Sequence, residues 1–147
     1  MFKIQIKSFK ELKTQELYDM LQLRSEVFVV EQDCVYQDID GKDQSALHIL
    51  GFKNDKLIGY TRVFKPGIYF KEASIGRVVV SKNEREYKYG YMLMEASIKA
   101  IKNHYNENLI KISAQCYLKQ FYINVGFNTI GDAYLEDGIP HIAMIKA

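Results

Sequence analysis

The sequence is poor in several residue types that mark specialised classes of protein. It contains no tryptophan, two prolines and two cysteines, and no apolar run approaches the ~20 residues that a membrane-spanning helix requires. Cys34 and Cys116 lie far apart without further metal-ligand spacing, which favours two buried, reduced thiols over a disulfide. Because no signal-peptide core precedes the first charged segment either, we expect a cytoplasmic protein without a membrane partner.

The chain also lacks a large excess of charge of either sign. The 20 basic and 18 acidic residues leave a net charge of +2, and the basic residues are spread along the chain, so nothing in the charge predicts a nucleic-acid partner. Hydrophobic residues make up 48% of the 147 positions, enough to form a core that offsets the entropy of the chain. We therefore expect one globular domain over residues 1–147.

One acidic stretch is similar to a calcium-binding loop but lacks two of the features that such a loop needs. The segment Asp38–Asp43 has the alternating carboxylates of a calcium loop. Its glycine is misplaced, however, and Ile49 occupies the position where such a loop needs a bidentate glutamate. The sequence predicts no metal site.

Hydrophobic periodicity predicts a mixed order of strands and helices. Strands are predicted at residues 2–7, 46–52, 56–64, 73–80, 109–114, 127–130 and 139–146. Helices are predicted after a capping box of Ser8 and Glu11, with a break near Arg24, then over 90–104 and 117–124. The strand-helix-strand unit at 73–114 implies a parallel pair inside an otherwise antiparallel sheet, so the fold class is α/β of the α+β type.

The loop between the strand at 73–80 and the next helix reads REYKYG, from Arg85 to Gly90. At such a junction backbone N–H groups converge on one point and the helix dipole favours negative charge there. Arg85 and Lys88 add cationic donors, and Gly90 allows a close approach to the backbone. The loop therefore predicts a phosphate site, with an ordinary charged surface loop as the alternative.

This loop resembles motif A of the GNAT superfamily of N-acetyltransferases, although Lys88 stands where the motif has its first glycine. The segment Phe121–Phe127, FYINVGF, resembles the FYxxxGF of motif B. Segments similar to the ElaA-like branch of the superfamily lie at 23–32, 36–40, 75–80 and 136–142. The chain is therefore identified as a member of that branch over nearly its whole length.

The resemblance implies the GNAT fold, in which the central parallel strands splay apart, helices cover both faces and acetyl-CoA lies in the gap. The cofactor-binding residues that it implies are Val78, Val79, Val80, Arg85, Glu86, Tyr87, Lys88, Tyr89, Gly90, Tyr91, Gln115 and Phe121. Gln115 stands where many relatives have asparagine, and Leu118 where many have alanine.

The activity implied is transfer of an acetyl group from acetyl-CoA, the co-substrate, to a primary amine of a small molecule or polypeptide by direct attack. Tyr122 matches the family tyrosine that protonates the departing thiolate, with simple packing as its alternative. The base is assigned to His48 or Glu31; Glu72, Glu136 and His141 are further candidates. A satisfied core histidine is the alternative for His48.

Further expectations concern the acidic residues, Arg77, the oligomeric state and the alternative function. Glu31, Asp38 and Asp40 are expected to border the substrate entrance and attract an amine. Arg77, a charge in a buried strand, must be paired or point into the cleft. The last strand is apolar enough at 139–145 to support a homodimer. The alternative function is a non-catalytic acyl-CoA-binding or regulatory protein of the same fold.

Overall fold

The computed structural model describes all 147 residues and contains seven strands and three α-helices. The strands are β1 (Phe2–Ser8), β2 (Leu47–Lys53), β3 (Lys56–Phe64), β4 (Ala73–Val80), β5 (Ile110–Gln115), β6 (Asn128–Glu136) and β7 (Ile139–Lys146). The helices are α1 (Thr14–Arg24), continued by a π-helical segment (Ser25–Glu31), α2 (Tyr89–Tyr105) and α3 (Lys119–Val125). No helix has the length and apolar character needed to cross a membrane.

The strands form one sheet in the order β1-β2-β3-β4-β5-β7-β6, in which β4 and β5 are the parallel neighbours. These two strands pair only where Ala73 faces Ile110 and Ser74 faces Lys111, and then diverge. A bulge in β4 bends the strand at this point: Arg77 has a φ of 48°, and the register with β3 shifts. The predicted mixed sheet with a splayed parallel pair is confirmed.

Helices cover both faces of the sheet, as the resemblance implies. On one face α2 and α3 pack over a core that includes Ile112 and Ala114 of β5. On the other, α1 and the π-helical segment pack over a second core that includes Val79 of β4. Because side chains alternate along a strand, Ser113 and Gln115 point toward the face of α1.

Two predicted boundaries are wrong. The capping box exists, since Ser8 N donates to Glu11 Oε1 at 2.9 Å, but it caps a single 3-10 turn. Helix α1 begins only at Thr14, after Lys13 N donates to Glu16 Oε1 at 2.8 Å.

Strand β6 extends to Glu136, well past the predicted end at Ile130. The cause is the turn that follows, in which Asp137 and Gly138 have φ values of 52° and 76°, the geometry of a tight hairpin turn. Since β7 lies between β5 and β6, the last strand has no free edge, and an edge-to-edge dimer would have to use β1 or β6.

Candidate active site

The divergence of β4 and β5 opens a cleft with a cavity volume of about 390 Å³, within the range of about 300–1,000 Å³ that is usual for small-molecule sites. Residues from both faces of the sheet line it. Val27 and Phe28 belong to the face of α1, whereas Tyr122 belongs to the face of α2 and α3. A molecule in this cleft can therefore be reached from either side of the sheet.

The N-terminus of α2 faces this cleft, as the loop chemistry predicts. Lys88, Gly90 and Tyr91 line the cavity, and the first backbone N–H groups of a helix have no partner within the helix. Together with the dipole of a 17-residue helix, they form a site for an anion. Glycine also eases the packing here, since a Cβ at position 90 would lie 3.3 Å from the Phe121 ring, a tighter contact than is usual.

Lys88 occupies a conformation that favours glycine. Its φ and ψ are 60° and 22°, in the left-handed region that costs an ordinary residue about 1–2 kcal/mol. The position thus keeps the backbone shape of the motif glycine although the side chain differs. Among the first N–H groups of α2, that of Tyr91 donates to Lys88 O at 3.2 Å.

We expect Lys88→Ile to lower the free energy of unfolding by about 1–2 kcal/mol, because β-branched residues tolerate positive φ worst. Lys88→Gly should change it by less than about 1 kcal/mol, since relief of strain offsets the greater entropy of the unfolded chain. Urea unfolding followed by circular dichroism measures both. Lys99→Ile, at an exposed site within α2, is the control; an equal loss in both isoleucine variants would contradict strain at Lys88.

Arg85 connects the loop to the opposite side of the cleft mouth. Its Nη1 and Nη2 atoms donate to Glu31 at 2.5 and 2.8 Å, and its Nε donates to Val80 O at 3.0 Å. The hydrogen bonds from Arg85 lower the pKa of Glu31. A carboxylate held in this way is a weak base, and Glu31 does not line the cleft. The geometry therefore argues against Glu31 as the general base.

His48 is a satisfied core histidine. Its side chain is 0% exposed, and its ring nitrogens lie 2.5 Å from Tyr60 OH and 2.9 Å from Asp43 O. Burial lowers its pKa. Since it does not line the cleft, the assignment of His48 as the base is wrong; Glu72 lies outside the cleft lining as well.

The acidic loop is neutralised by buried arginines. Asp38 and Asp40, expected to attract an amine, are both paired with Arg77. The remaining pairs of this ion network join Arg24 to Asp38 and Asp43, and Arg62 to Asp40 and Asp43, at 2.7–3.0 Å. The expectation for the loop is therefore wrong, whereas both alternatives for Arg77 hold: it is paired and it lines the cleft.

A row of polar side chains lines the cleft on the face of α1. Ser113 Oγ donates to Glu136 Oε1 at 3.2 Å and is hydrogen-bonded to the Tyr134 hydroxyl. His141 Nε2 lies 3.4 Å from Glu136 Oε2, and its Nδ1 lies 2.7 Å from Ile139 O. The sequence alone did not identify Ser113 as a site residue, although the alternation of β5 indicates that its side chain faces away from the core under α2 and α3.

A pair of amides bridges the cleft beside this row. Gln32 Nε2 donates to Gln115 Oε1 at 3.0 Å, and Gln115 Nε2 donates back at 3.3 Å. Gln32 also donates to Tyr117 OH at 3.1 Å. Gln115 therefore lines the cleft, but its amide is engaged by a residue that the sequence did not single out.

Tyr122 is 6% exposed and lines the cleft. Its ring packs edge-on against Phe121, with centroids 5.0 Å apart, and against Phe127. Burial raises the pKa of Tyr122 far above its usual value, with a smaller effect of Tyr117. The phenol therefore stays protonated at neutral pH, so it can donate a proton but cannot act as a base.

Most of the predicted cofactor residues meet at the cleft, but some do not. Those that line it are Val78, Val79, Val80, Arg85, Lys88, Gly90, Tyr91, Gln115 and Phe121. Glu86, Tyr87 and Tyr89 do not; the Tyr89 ring stacks on Phe2 at 4.3 Å. Both cysteines are free and half-buried rather than buried, and the Cys34 thiol, which lines the cleft, donates to Asp137 O at 3.3 Å.

Comparison with known proteins gives consistent matches over the whole chain. The model of the acetyltransferase (GNAT) domain matches residues 9–147. Protein ElaA of Escherichia coli is 44% identical over 138 residues, which cover 92% of this chain and 90% of that protein. Its crystal structure aligns with a TM-score of 0.90 at 41% identity, covering 99% of both chains.

Two further solved structures share the fold. An acyl-CoA N-acyltransferase from Pseudomonas aeruginosa aligns with a TM-score of 0.91 at 38% identity, covering 99% of both chains. An aminoglycoside 6'-N-acetyltransferase complexed with coenzyme A aligns with a TM-score of 0.71, covering 97% of this chain and 96% of that one. At 15% identity the latter is evidence of the fold alone.

Proposed function

Because the chain belongs to the GNAT acetyltransferase family, we propose that it transfers an acetyl group from acetyl-CoA to a primary amine by direct attack. The observation that carries the proposal is the cleft between β4 and β5. The N-terminus of α2 and the buried, protonated phenol of Tyr122 line one of its faces, and the carboxylate of Glu136 lines the other. Such an arrangement supplies the anchor, the acid and the open approach that direct transfer requires.

The proposed cofactor site uses backbone groups more than side chains. Beyond Ser74 the edge of β4 that faces β5 is unpaired, so the N–H and C=O groups near Val78–Val80 can hydrogen-bond the pantetheine arm. The N-terminus of α2 would hold the pyrophosphate, with Lys88 and Arg85 nearby. The match to the acetyltransferase (GNAT) domain over residues 9–147 supports a coenzyme A site in this chain.

Tyr122 is proposed as the proton donor to the departing thiolate. The amine attacks the thioester carbonyl, the carbon–sulfur bond breaks, and the sulfur receives the phenolic proton. A thiol has a pKa of ~8.5, and burial raises the pKa of Tyr122 above its usual value. The proposed transfer therefore requires that burial in the same cleft also destabilise the thiolate, as burial does for any charged group. We further propose a cytoplasmic location, which the two free thiols support, and a homodimer.

We expect calorimetric titration to detect binding of acetyl-CoA and desulfo-CoA, with ATP binding much more weakly. Arg85→Ala combined with Lys88→Ala should weaken acetyl-CoA binding about tenfold or more, because hydrogen bonds to charged groups contribute about 1.5–3 kcal/mol each. The matched control removes two exposed lysines elsewhere, Lys56→Ala with Lys99→Ala, and should bind as the wild type does. Absence of binding to both CoA compounds, or equal affinity in the two double variants, would refute the proposed site.

A further inference from the structure

We propose that Glu136 takes the proton from the acceptor amine, and that the acceptor is a monoamine attached to an apolar or aromatic body. This inference rests on the proposed acetyl transfer and assigns its missing base. His48 and Glu31 are excluded by their contacts, whereas Glu136 lines the cleft.

The register of the sheet explains how Glu136 reaches the cleft. His141 of β7 faces Gln115 of β5 on one side and Tyr134 of β6 on the other. Because strand side chains alternate, Tyr134 and Glu136 project from the same face of β6. The hairpin turn after Glu136 thus places its carboxylate over Ser113, on the side of the sheet where α1 lies.

The contacts of Glu136 orient the carboxylate without saturating it. Oε1 accepts from Ser113 Oγ at 3.2 Å, and Oε2 lies 3.4 Å from His141 Nε2. A carboxylate has about four acceptor positions, so positions remain for an ammonium group. The side chain is 41% exposed, whereas that of His141 is only 8% exposed; Glu136 is therefore the member of the pair that a substrate can touch.

His141 is a positioning residue and a proton relay. Its Nδ1–H donates to Ile139 O at 2.7 Å, which leaves Nε2 as the nitrogen that faces Glu136. A proton that Glu136 accepts therefore has a second acceptor 3.4 Å away. The carboxylate can pass the proton on and be ready for the next amine.

The acid and the base reach the cleft from opposite faces of the sheet. Tyr122 belongs to the core under α2 and α3, whereas Glu136 lies on the side of α1. The ammonium gives one proton to Glu136, and the nitrogen lone pair then forms the bond to the carbonyl carbon. The adduct loses a second proton to water as the carbon–sulfur bond breaks, and the sulfur takes the proton of Tyr122, which water restores.

The charges of the cleft define the class of acceptor. Its lining carries the acidic residues Glu136 and Asp137 against the basic residues Arg77, Arg85 and Lys88. Because the acidic loop is neutralised by the ion network, a polyamine finds no series of free carboxylates. Apolar and aromatic side chains, namely Val27, Phe28, Tyr36 and Ile139, line the cleft as well, and they favour a single amine on an apolar body.

The substrate class is tested with 2-phenylethylamine and spermidine at equal concentrations, with acetyl-CoA, by thiol release and mass spectrometry of the product. We expect acetylation of 2-phenylethylamine and no acetylation of spermidine above the uncatalysed rate. Comparable acetylation of spermidine, or no acetylation of 2-phenylethylamine by a protein that binds acetyl-CoA, would overturn the substrate class. A protein that does not bind acetyl-CoA would instead refute the proposed function.

The base is tested by Glu136→Gln, which keeps the shape and removes the charge. We expect kcat/KM for 2-phenylethylamine to fall about 10²–10⁴-fold, with the Kd for acetyl-CoA unchanged. Asp132→Asn removes an exposed carboxylate of the same strand that lies outside the cleft lining and should retain activity within about threefold of the wild type, since a surface substitution without partners has a small effect. Equal activity of Glu136→Gln and the wild type would overturn the assignment.

The pH dependence separates a base from a structural residue. Without a base the enzyme must use free amine, whose fraction rises tenfold per pH unit below an amine pKa of ~10. Between pH 7 and 9 we expect kcat/KM of Glu136→Gln to rise with that slope and the wild type to stay nearly flat. The titratable groups near Glu136 are His141 and Tyr134 of its hairpin and Tyr69 of the loop between β3 and β4. Identical pH profiles for variant and wild type would contradict the proposal.

Discussion

Tyr122→Phe is expected to lower kcat about 10²–10³-fold and to leave the Kd for acetyl-CoA unchanged, since a positioned general acid contributes on this scale. The phenylalanine keeps the edge-on packing against Phe121 and Phe127. Only the hydroxyl is lost, so the thiolate must leave without a proton donor. Steady-state kinetics with 2-phenylethylamine and calorimetry with acetyl-CoA measure the two quantities.

The control is Tyr105→Phe, which removes the hydroxyl of a half-buried tyrosine of α2 outside the cleft lining. That hydroxyl has no part in the proposed chemistry, so the variant should keep most of its activity. The free energy of unfolding of Tyr122→Phe should stay within about 0.5 kcal/mol of the wild type. Unchanged turnover would remove Tyr122 from the mechanism and favour a non-catalytic acyl-CoA-binding protein.

Tyr122 and Glu136 act at different steps of the proposed reaction. Tyr122 acts after the carbon–nitrogen bond has formed, whereas Glu136 acts before it. A low-pKa amine, already neutral at pH 7, should therefore rescue Glu136→Gln and leave the defect of Tyr122→Phe unchanged. The two residues are thus distinguishable although both line one cleft of about 390 Å³.

The sequence predicts most of the fold because local patterns decide it. Alternating apolar residues define β1 and β5, and the strand-helix-strand unit from Ala73 to Gln115 requires a parallel pair. The end of β6 could not be predicted from the sequence, because the strand is exposed on both faces and its sequence therefore lacks an apolar alternation. The start of α1 was also missed, since Ser8 and Lys13 both precede glutamates at capping distance.

The candidate site was likewise predictable only where local sequence determines its geometry. The N-terminus of α2 follows from a local motif and was predicted, including Lys88 at the place of a glycine. The failed assignments depend on partners far away in the chain: Glu31 is engaged by Arg85, and Asp38 by Arg24 and Arg77. Whether a charge is free or neutralised is decided by tertiary contacts, which no single-sequence pattern contains.

The ion network fixes the segment before β2 against the sheet. Arg24 of α1 and Arg62 of β3 share Asp43, while Arg77 in the bulge of β4 holds Asp38 and Asp40. Burial opposes ionisation of Asp40, but the hydrogen bonds from Arg62 lower its pKa to about 2. Three arginines and three aspartates are therefore paired in a largely buried place, and they join α1, β3 and the bulge that opens the cleft.

Arg24→Met is expected to lower the free energy of unfolding by about 3–5 kcal/mol, the usual cost of removing one partner from a buried ion pair. Arg24 is 0% exposed, and it donates to Asp38 Oδ2 at 2.9 Å, to Asp43 Oδ1 at 2.7 Å and to Asp38 O at 3.1 Å. Methionine fills part of the volume but leaves these acceptors buried without their donor. Urea unfolding monitored by circular dichroism measures the loss, which is a large share of the stability of a small domain, about 5–15 kcal/mol.

The matched control is Lys7→Met, which breaks the ion pair of Lys7 with Glu16, whose side chains are 20% and 14% exposed. There water can solvate the remaining carboxylate, so the loss should not exceed about 1 kcal/mol. Arg24→Lys keeps the charge and loses the two-pronged geometry, and its loss should lie between those of the two methionine variants. If Arg24→Met and Lys7→Met lost equal stability, the ion network would not hold the cleft together, because a buried charge without its partner must cost more than a partly exposed one.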